Sequence, residues 1–378
     1  MINQQRLVNL TRRLLSINSE NPPGNEYRIA NFVGKFLKDL GLQVKTCEFA
    51  KKRPNIVAVL KGRNSNRPLL LSPHLDTVPA GRGWKFDPFK ARIDQGRIYG
   101  RGASDCKGNV AVGLEVIKSL VEDKTRLKND IIFAATVDEE TGSYFGLIPL
   151  IKKNILRPHA AVILDADSSD IIVAQKGLIH FKLSIFGKKA HGAYPERGIN
   201  AIDIATRIII KLKNHKFKYK RHQFLKPPTI NIGMINGGDK VNMVADWCEV
   251  MIDLRFLPGM NSKSLLDQIK KIATQEAKRY RIDIEAIQEP SEMDKRHYLV
   301  DCLLKAGKKF AKDSIIKGSE GATVMSFFID KNIPTVATGY GQKGTAHSTN
   351  EYVRINDLYK GAKILEEFVK LYDCYEAN

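Results

Sequence analysis

Four short apolar runs, each leading into a histidine or an acid, constrain this chain more than any other feature. They are residues 69–71 before His74 and Asp76, residues 131–137 before Asp138, Glu139 and Glu140, Ala160–Leu164 before Asp165 and Asp167, and Thr335–Thr338 ahead of His347. Short apolar runs bounded by polar or turn residues predict strands buried on both faces. Residues 55–60 predict a fifth. Helix-like sequence lies between several of these runs, and that alternation predicts an α/β sheet. Around Leu7, Leu10, Leu14 and Leu15 the apolar spacing is helical, a turn follows at Asn21-Pro-Pro-Gly24, and a second helix fits residues 27–40.

The texture changes from about residue 179. Residues 180–186, 229–235 and 248–254 alternate like half-exposed strands, and helices fit 201–212 and 264–280. Strands and helices of that kind predict a smaller α+β layer with one sheet face covered. After Pro290 the α/β texture returns, with a helix over 297–311, the strand Thr335–Thr338 and a final helix from Ile355. The expected organisation is a discontinuous catalytic domain, residues 1–176 and 290–378, with residues 177–289 inserted.

At 378 residues, 43% hydrophobic and 27% charged, the chain has the composition of a globular protein with room for two cores. No apolar run approaches the roughly 20 residues of a membrane span. The opening Met-Ile-Asn-Gln-Gln-Arg lacks a secretory pattern. Cys47, Cys106, Cys248, Cys302 and Cys374 are odd in number and scattered, which argues against a disulfide framework and against a cysteine-built zinc site. A reducing, cytoplasmic location is expected. The net charge of +20 favours approach of an anionic substrate. Basic residues are densest at 211–221, where Phe217 and Tyr219 interleave with lysines and Phe224 follows. That pattern superficially suits single-stranded nucleic acid, but a solvated helix end and loop is the simpler expectation.

The chemistry lies where the strands end. In Leu69-Leu-Leu-Ser-Pro-His74-Leu-Asp76 the histidine and aspartate fall on one face, so Asp76 can orient His74. A structural histidine satisfies that motif equally well. Asp105 sits among Gly100, Gly102 and Gly108 in a loop that lacks both phosphate-binding glycine patterns. It could bridge two cations. Asp138-Glu139-Glu140 is either a solvated acidic turn or a metal site with one glutamate as ligand and its neighbour as base. Two histidines and several carboxylates without cysteine suit zinc, cobalt or manganese in a two-metal hydrolase.

His74-Leu-Asp76-Thr-Val-Pro, Gly100-Arg-Gly-Ala-Ser-Asp105-Cys-Lys-Gly, Asp138-Glu-Glu140 and Ala346-His-Ser-Thr-Asn-Glu-Tyr352 occur in that order. Together they resemble the signatures of the di-zinc aminoacylase, carboxypeptidase G and acetylornithine deacetylase/succinyl-diaminopimelate desuccinylase family, the clan MH metallopeptidases. The resemblance runs over nearly the whole chain. It implies a phosphorylase/hydrolase-like catalytic domain, a mixed sheet flanked by helices, with an inserted α+β lid and dimerisation domain. It also implies two divalent metal ions, zinc first, with Asp105 bridging, His74 and Asp165 completing one site and Glu140 and His347 the other. Glu139 would be the general base and Asp76 the partner of His74. Asp165 stands where many members have glutamate.

In the inserted segment, Gly187-Lys-Lys-Ala-His191-Gly-Ala-Tyr resembles the lid whose histidine reaches the substrate oxygen from the partner subunit of a homodimer. Asn242, Gly321 and Arg255, the last in Asp253-Leu-Arg255-Phe-Leu-Pro-Gly259, would bind substrate, with the Arg255 guanidinium holding the substrate's carboxylate. Two departures stand out. Val324 replaces a common aspartate in Gly321-Ala-Thr-Val324, and Leu178-Ile179 follow Lys176-Gly177 where desuccinylases carry arginines. The expected activity is deacylation of a small N-acyl amino acid, with dipeptidase or carboxypeptidase G-like cleavage as the alternative and a catalytically silent ligand-binding member as an alternative of another class.

Overall fold

A computed structural model describes residues 1–310 and 314–375. The chain divides into two compact units: Met1–Val173 with Met293–Lys317 and Thr323–Asn378, and Ala174–Glu292 with Gly318–Ala322.

The first unit is built on a mixed sheet that runs, edge inward, Gln43–Glu48, Pro54–Leu60, Ile131–Ala135, Leu69–Ser72, Ala160–Leu164, Thr335–Thr338 and Ile171–Gln175. Leu69–Ser72 is parallel to both Ile131–Ala135 and Ala160–Leu164, and Thr335–Thr338 is parallel to Ala160–Leu164. These four strands point the same way, so the segments that leave their carboxyl ends emerge at one edge. Every residue of Leu69–Ser72, Ala160–Leu164 and Thr335–Thr338 is buried, which accounts for their unbroken apolar sequence. On one face Leu70, Ala134, Ala161, Ile163 and Ala337 pack with Leu147, Leu150, Met325 and Phe328. Lys107–Glu122, buried almost throughout, packs against Gln4–Leu15 and Ile355–Cys374. Gly113 permits close approach of that helix to the sheet, because a Cβ there would lie 2.5 Å from the ring of Phe133.

The second unit has an antiparallel sheet in the order Thr229–Gly237, Trp247–Phe256, Gly177–Phe186, Tyr280–Gln288. Strand alternation sends Ile179, Phe181, Leu183, Val250, Ile252 and Leu254 to one face, where Ile204, Ile208, Leu265 and Ile269 of two helices cover them. Those helices begin at capped residues: Asn200 accepts from the Ile202 and Asp203 N–H groups, and Asn261 from that of Ser264.

One expected helix overran. Residues 264–280 are instead Ser262–Glu276, extended backbone at Ala277, and the start of a strand at Tyr280. Beyond Ala277 the spacing of Ile282 and Ile284 is that of a strand, and pairing with Gly177–Phe186 uses it. The helix expected over 297–311 is Tyr298–Phe310, and its expected last residue lies outside the described residues.

Candidate metal centre

His74 follows Leu69–Ser72 and is held by a bridge to Thr136, the residue just after the neighbouring strand. It is buried. Its Nδ1 lies 3.0 Å from the Asp76 carbonyl and 3.5 Å from Asp76 Oδ1. Its Nε2 faces the other way, 3.0 Å from Asp105 Oδ1 and 3.4 Å from Asp165 Oδ1. His347, half exposed, places Nε2 3.2 Å from Asp105 Oδ2 and 3.1 Å from Glu140 Oε2. Two clusters result, each with donor atoms within 4.8 Å of one another: His74, Asp105, Cys106 and Asp165, and Asp105, Glu140 and His347. Asp105 belongs to both and offers a different oxygen to each histidine.

Asp76 does more than face His74. Fully buried, it accepts the backbone N–H of Glu139 through Oδ1 and that of Glu140 through Oδ2, both at 3.1 Å. One carboxylate therefore sets the first histidine and the acidic turn together. The Glu139 carboxylate takes no hydrogen bond from any described residue. Asp138, the acid before it, is fully committed: it forms an ion pair with Arg53 Nη1 at 2.9 Å and accepts from Thr141 Oγ1 at 2.6 Å and the Phe145 N–H at 3.0 Å.

The electrostatics test whether these residues fit a cation. Burial raises the pKa of Glu139 far above the ordinary value, and Asp165, Glu140 and Asp105 push it the same way. Burial likewise raises Asp165 and Glu140, each with a further push from Asp105. For Asp105 burial opposes ionisation, but His347 and His74 outweigh it and hold its pKa below the usual range. Hydrogen bonds to Asp105 and Glu140 lift His347 to about 10. Burial disfavours charge on His74, yet Cys106, Asp165 and Asp105 carry its pKa well above the ordinary value. Three carboxyl groups and both imidazoles drawn toward protonation around the ionised Asp105 mark a cluster short of positive charge. A divalent cation in place of those protons supplies it, so the residues fit.

Cys106 shares the first cluster, but its thiol is used elsewhere. Sγ accepts from the His74 N–H at 3.2 Å and donates to the His74 carbonyl at 3.3 Å, and burial pushes its pKa up to about 12. Asp167 lies outside both clusters and accepts from the Gly344 N–H.

His191, Asn242, Arg255 and Gly321 belong to the second unit. His191 bridges to Met243, and the Asn242 carbonyl accepts from the Gly192 N–H at 2.8 Å. Arg255 Nε donates to Asp253 Oδ1 at 2.8 Å, on the same strand face. The N–H of Gly321 donates to Ser319 Oγ.

Two supports, Asn21 and Arg53, had no site signal in the sequence, and a third, Glu351, stood in the Ala346–Tyr352 motif without a role. Asn21, read only as part of a turn, donates Nδ2 to Asp76 Oδ2 at 2.9 Å. Arg53 lies between Glu26 and Asp138. Glu351 holds the loop that carries Asp105. Asp76 lies 55 residues from Asn21, and the side-chain partners of Glu351 lie 246 to 250 residues from it, beyond the reach of local pattern.

The sequence profile described as Peptidase family M20/M25/M40 matches residues 70–371. The chain belongs to this family. Among solved structures it is similar to a tripeptidase from Staphylococcus aureus, with 26% identity, 99% of each chain covered and a TM-score of 0.83. It is similar in fold to aminopeptidase PepT from Bacillus cereus, at 24% identity, 98% of this chain and 99% of that one, and a TM-score of 0.79. A third likeness in fold is to an M20 family metallo-carboxypeptidase from Sulfolobus solfataricus, at 23% identity, 98% and 99% coverage, and a TM-score of 0.85. As an M20/M25/M40 peptidase the chain is a metallohydrolase that acts on amide bonds. The α/β unit with its mixed sheet and the smaller α+β unit are the expected fold. No helix among the described residues is long and apolar enough to cross a membrane.

Proposed function

We propose that the chain cleaves the amide bond of a short peptide that carries a free carboxylate. Deacylation of an N-acyl amino acid is the competing use of the same centre. The observation that carries the proposal is Asp105 shared between two donor clusters, with the uncommitted carboxylate of Glu139 beside them. The likeness to a tripeptidase favours peptides.

His74, Asp105 and Asp165 would hold one cation, and Asp105, Glu140 and His347 the other. The donor set suits zinc, with cobalt or manganese as alternatives. When bound, two such ions polarise a carbonyl and make water more acidic. Asp76 keeps the second nitrogen of His74 protonated, so that Nε2 presents its lone pair toward Asp105 and Asp165. Glu139, its pKa raised by burial and by neighbouring acids, accepts the proton of the attacking water and returns it to the leaving amine. His191 steadies the charge that develops on the carbonyl oxygen. Arg255, braced by Asp253, takes the substrate carboxylate, with Asn242 as a second polar contact to substrate. The net charge of +20 draws such anions in.

The second unit would also pair two chains. Its edge strand Thr229–Gly237 leaves Met234 and Ile235 exposed, which suits a homodimer in which each His191 serves its partner. Unpaired cysteines, four of the five buried, support a cytoplasmic location.

A panel of dipeptides, tripeptides and N-acetyl, N-formyl and N-succinyl amino acids, incubated with metal-loaded protein, tests the substrate class. Release of amino acids from tripeptides or dipeptides above all acylated substrates is expected. Faster turnover of any N-acyl amino acid transfers the assignment to deacylation.

A further inference from the structure

The loop between the strand Arg97–Tyr99 and the helix Lys107–Glu122 carries Asp105, yet it has no strand or helix pairing of its own. Four of its backbone N–H groups, those of Gly100, Gly102, Ser104 and Asp105, converge on a single residue. Glu351, fully buried, accepts the N–H of Ser104 at 2.8 Å and of Asp105 at 3.0 Å through Oε1. Through Oε2 it accepts the N–H of Gly102 at 3.0 Å and Nη1 of Arg101 at 2.7 Å. Its own carbonyl accepts the N–H of Gly100 at 3.0 Å. Successive backbone N–H groups that converge on one anion form a nest, here filled by a side chain of the same protein.

Glu351 lies four residues after His347. The strand it leads into, Tyr352–Arg354, pairs with Arg97–Tyr99, with Tyr352 opposite Tyr99. The segment that carries His347 and the loop that carries Asp105 are thus fixed in register by the backbone and then clamped together by one carboxylate. We propose that Glu351 is the positioning residue of the metal centre: it presents Asp105 to both cations and couples it to His347, although it belongs to neither donor cluster. This rests on the two-cation centre proposed above.

Glutamine at 351 preserves size but has one acceptor oxygen. Whichever way its amide turns, two of the four donors from residues 101–105 face an NH2 group inside a dry site. The affinity of both cation sites should then fall together by at least about tenfold, the scale of lost support behind metal ligands. Loss of His347 itself should weaken one site.

The test is a Co2+ titration of chelator-stripped protein, followed by visible absorption and calorimetry, for the parent, Glu351→Gln and Glu115→Gln. Glu115 is an equally buried carboxylate paired with Arg6, and it controls for loss of stability alone. Weaker binding of both ions with an altered cobalt spectrum in Glu351→Gln, and parent-like binding in Glu115→Gln, is expected. Parent-like binding by Glu351→Gln, or equal weakening in both variants, overturns the proposal. Should Glu351→Gln not fold, Glu351→Asp keeps the charge but withdraws it by one methylene. Weakened cobalt binding with an unchanged unfolding temperature then supports the role, and parent-like binding overturns it. A parent that binds no cobalt sinks the metal centre itself, a distinguishable failure.

Discussion

Arg53 offers a test of the support beneath the acidic turn. Its guanidinium lies between two buried carboxylates: Nε is 3.0 Å from Glu26 Oε2, and Nη1 is 2.9 Å from Asp138 Oδ1. Side-chain exposure is 11% for Arg53, 0% for Glu26 and 2% for Asp138, so little water can replace the lost contacts. Methionine at 53 fills similar space and leaves both acids without the Arg53 cation. Removal of one partner from a buried ion pair costs about 3–5 kcal/mol, and Arg53 serves two, so the upper part of that range applies. In a domain of some 150–250 residues each kcal/mol lowers Tm by about 2–4 °C. Arg53→Met should therefore melt roughly 8–20 °C below the parent at pH 7, as read by calorimetry on metal-free protein.

The pH dependence has a definite sign. Burial already holds Glu26 above its ordinary pKa, with Arg53 opposing and Asp76 adding to the rise. Without Arg53 the folded pKa climbs further above the unfolded one. The variant's folded state then binds more protons than its unfolded state, so its deficit grows as pH rises through that range and shrinks in acid. Glu26→Leu combined with Arg53→Met should recover part of the loss, because one orphaned charge is gone. A fall of less than about 4 °C, or a deficit independent of pH, would refute the reasoning.

Three further outcomes follow from the centre itself. Glu139→Gln should keep both metal sites while kcat drops by at least about a hundredfold, measured on protein of verified metal content. Arg255→Gln should raise KM for substrates with a free carboxylate and leave those with an amidated terminus little changed, in steady-state kinetics on matched pairs. Glu139→Gln and His191→Ala chains, each inactive alone, should regain activity when mixed, provided subunit exchange is shown first; exchanged mixtures that stay inactive exclude a histidine acting in trans.

Strand ends were the legible part of this sequence. Ala160–Leu164 and Thr335–Thr338 match their apolar runs because both faces are buried and polar residues bound them. The edge strand Gln43–Glu48, mostly exposed, has no such run to mark it. Tyr280–Gln288 was hidden behind Gln275-Glu-Ala-Lys278, which favours helix and contains no glycine or proline to announce the break. The histidines and acids of the two clusters could be picked out because metal-type residues at strand ends are unusual side by side. The roles of Asn21, Arg53, Cys106 and Glu351 could not be read, because each acts through a contact that exists only once distant segments meet. Asp138 looked as free as Glu139 in the sequence, and only Arg53, Thr141 and the Phe145 N–H distinguish them.

The central claim is that Asp105 joins two cation sites. Equilibrium dialysis of chelator-stripped protein against zinc, with metal counted by mass spectrometry, tests it most directly. Two ions per chain are expected in the parent, one in His347→Ala, and weakened binding at both sites in Asp105→Ala. A parent that retains no zinc, or an Asp105→Ala variant that binds two ions as tightly as the parent, would contradict the account.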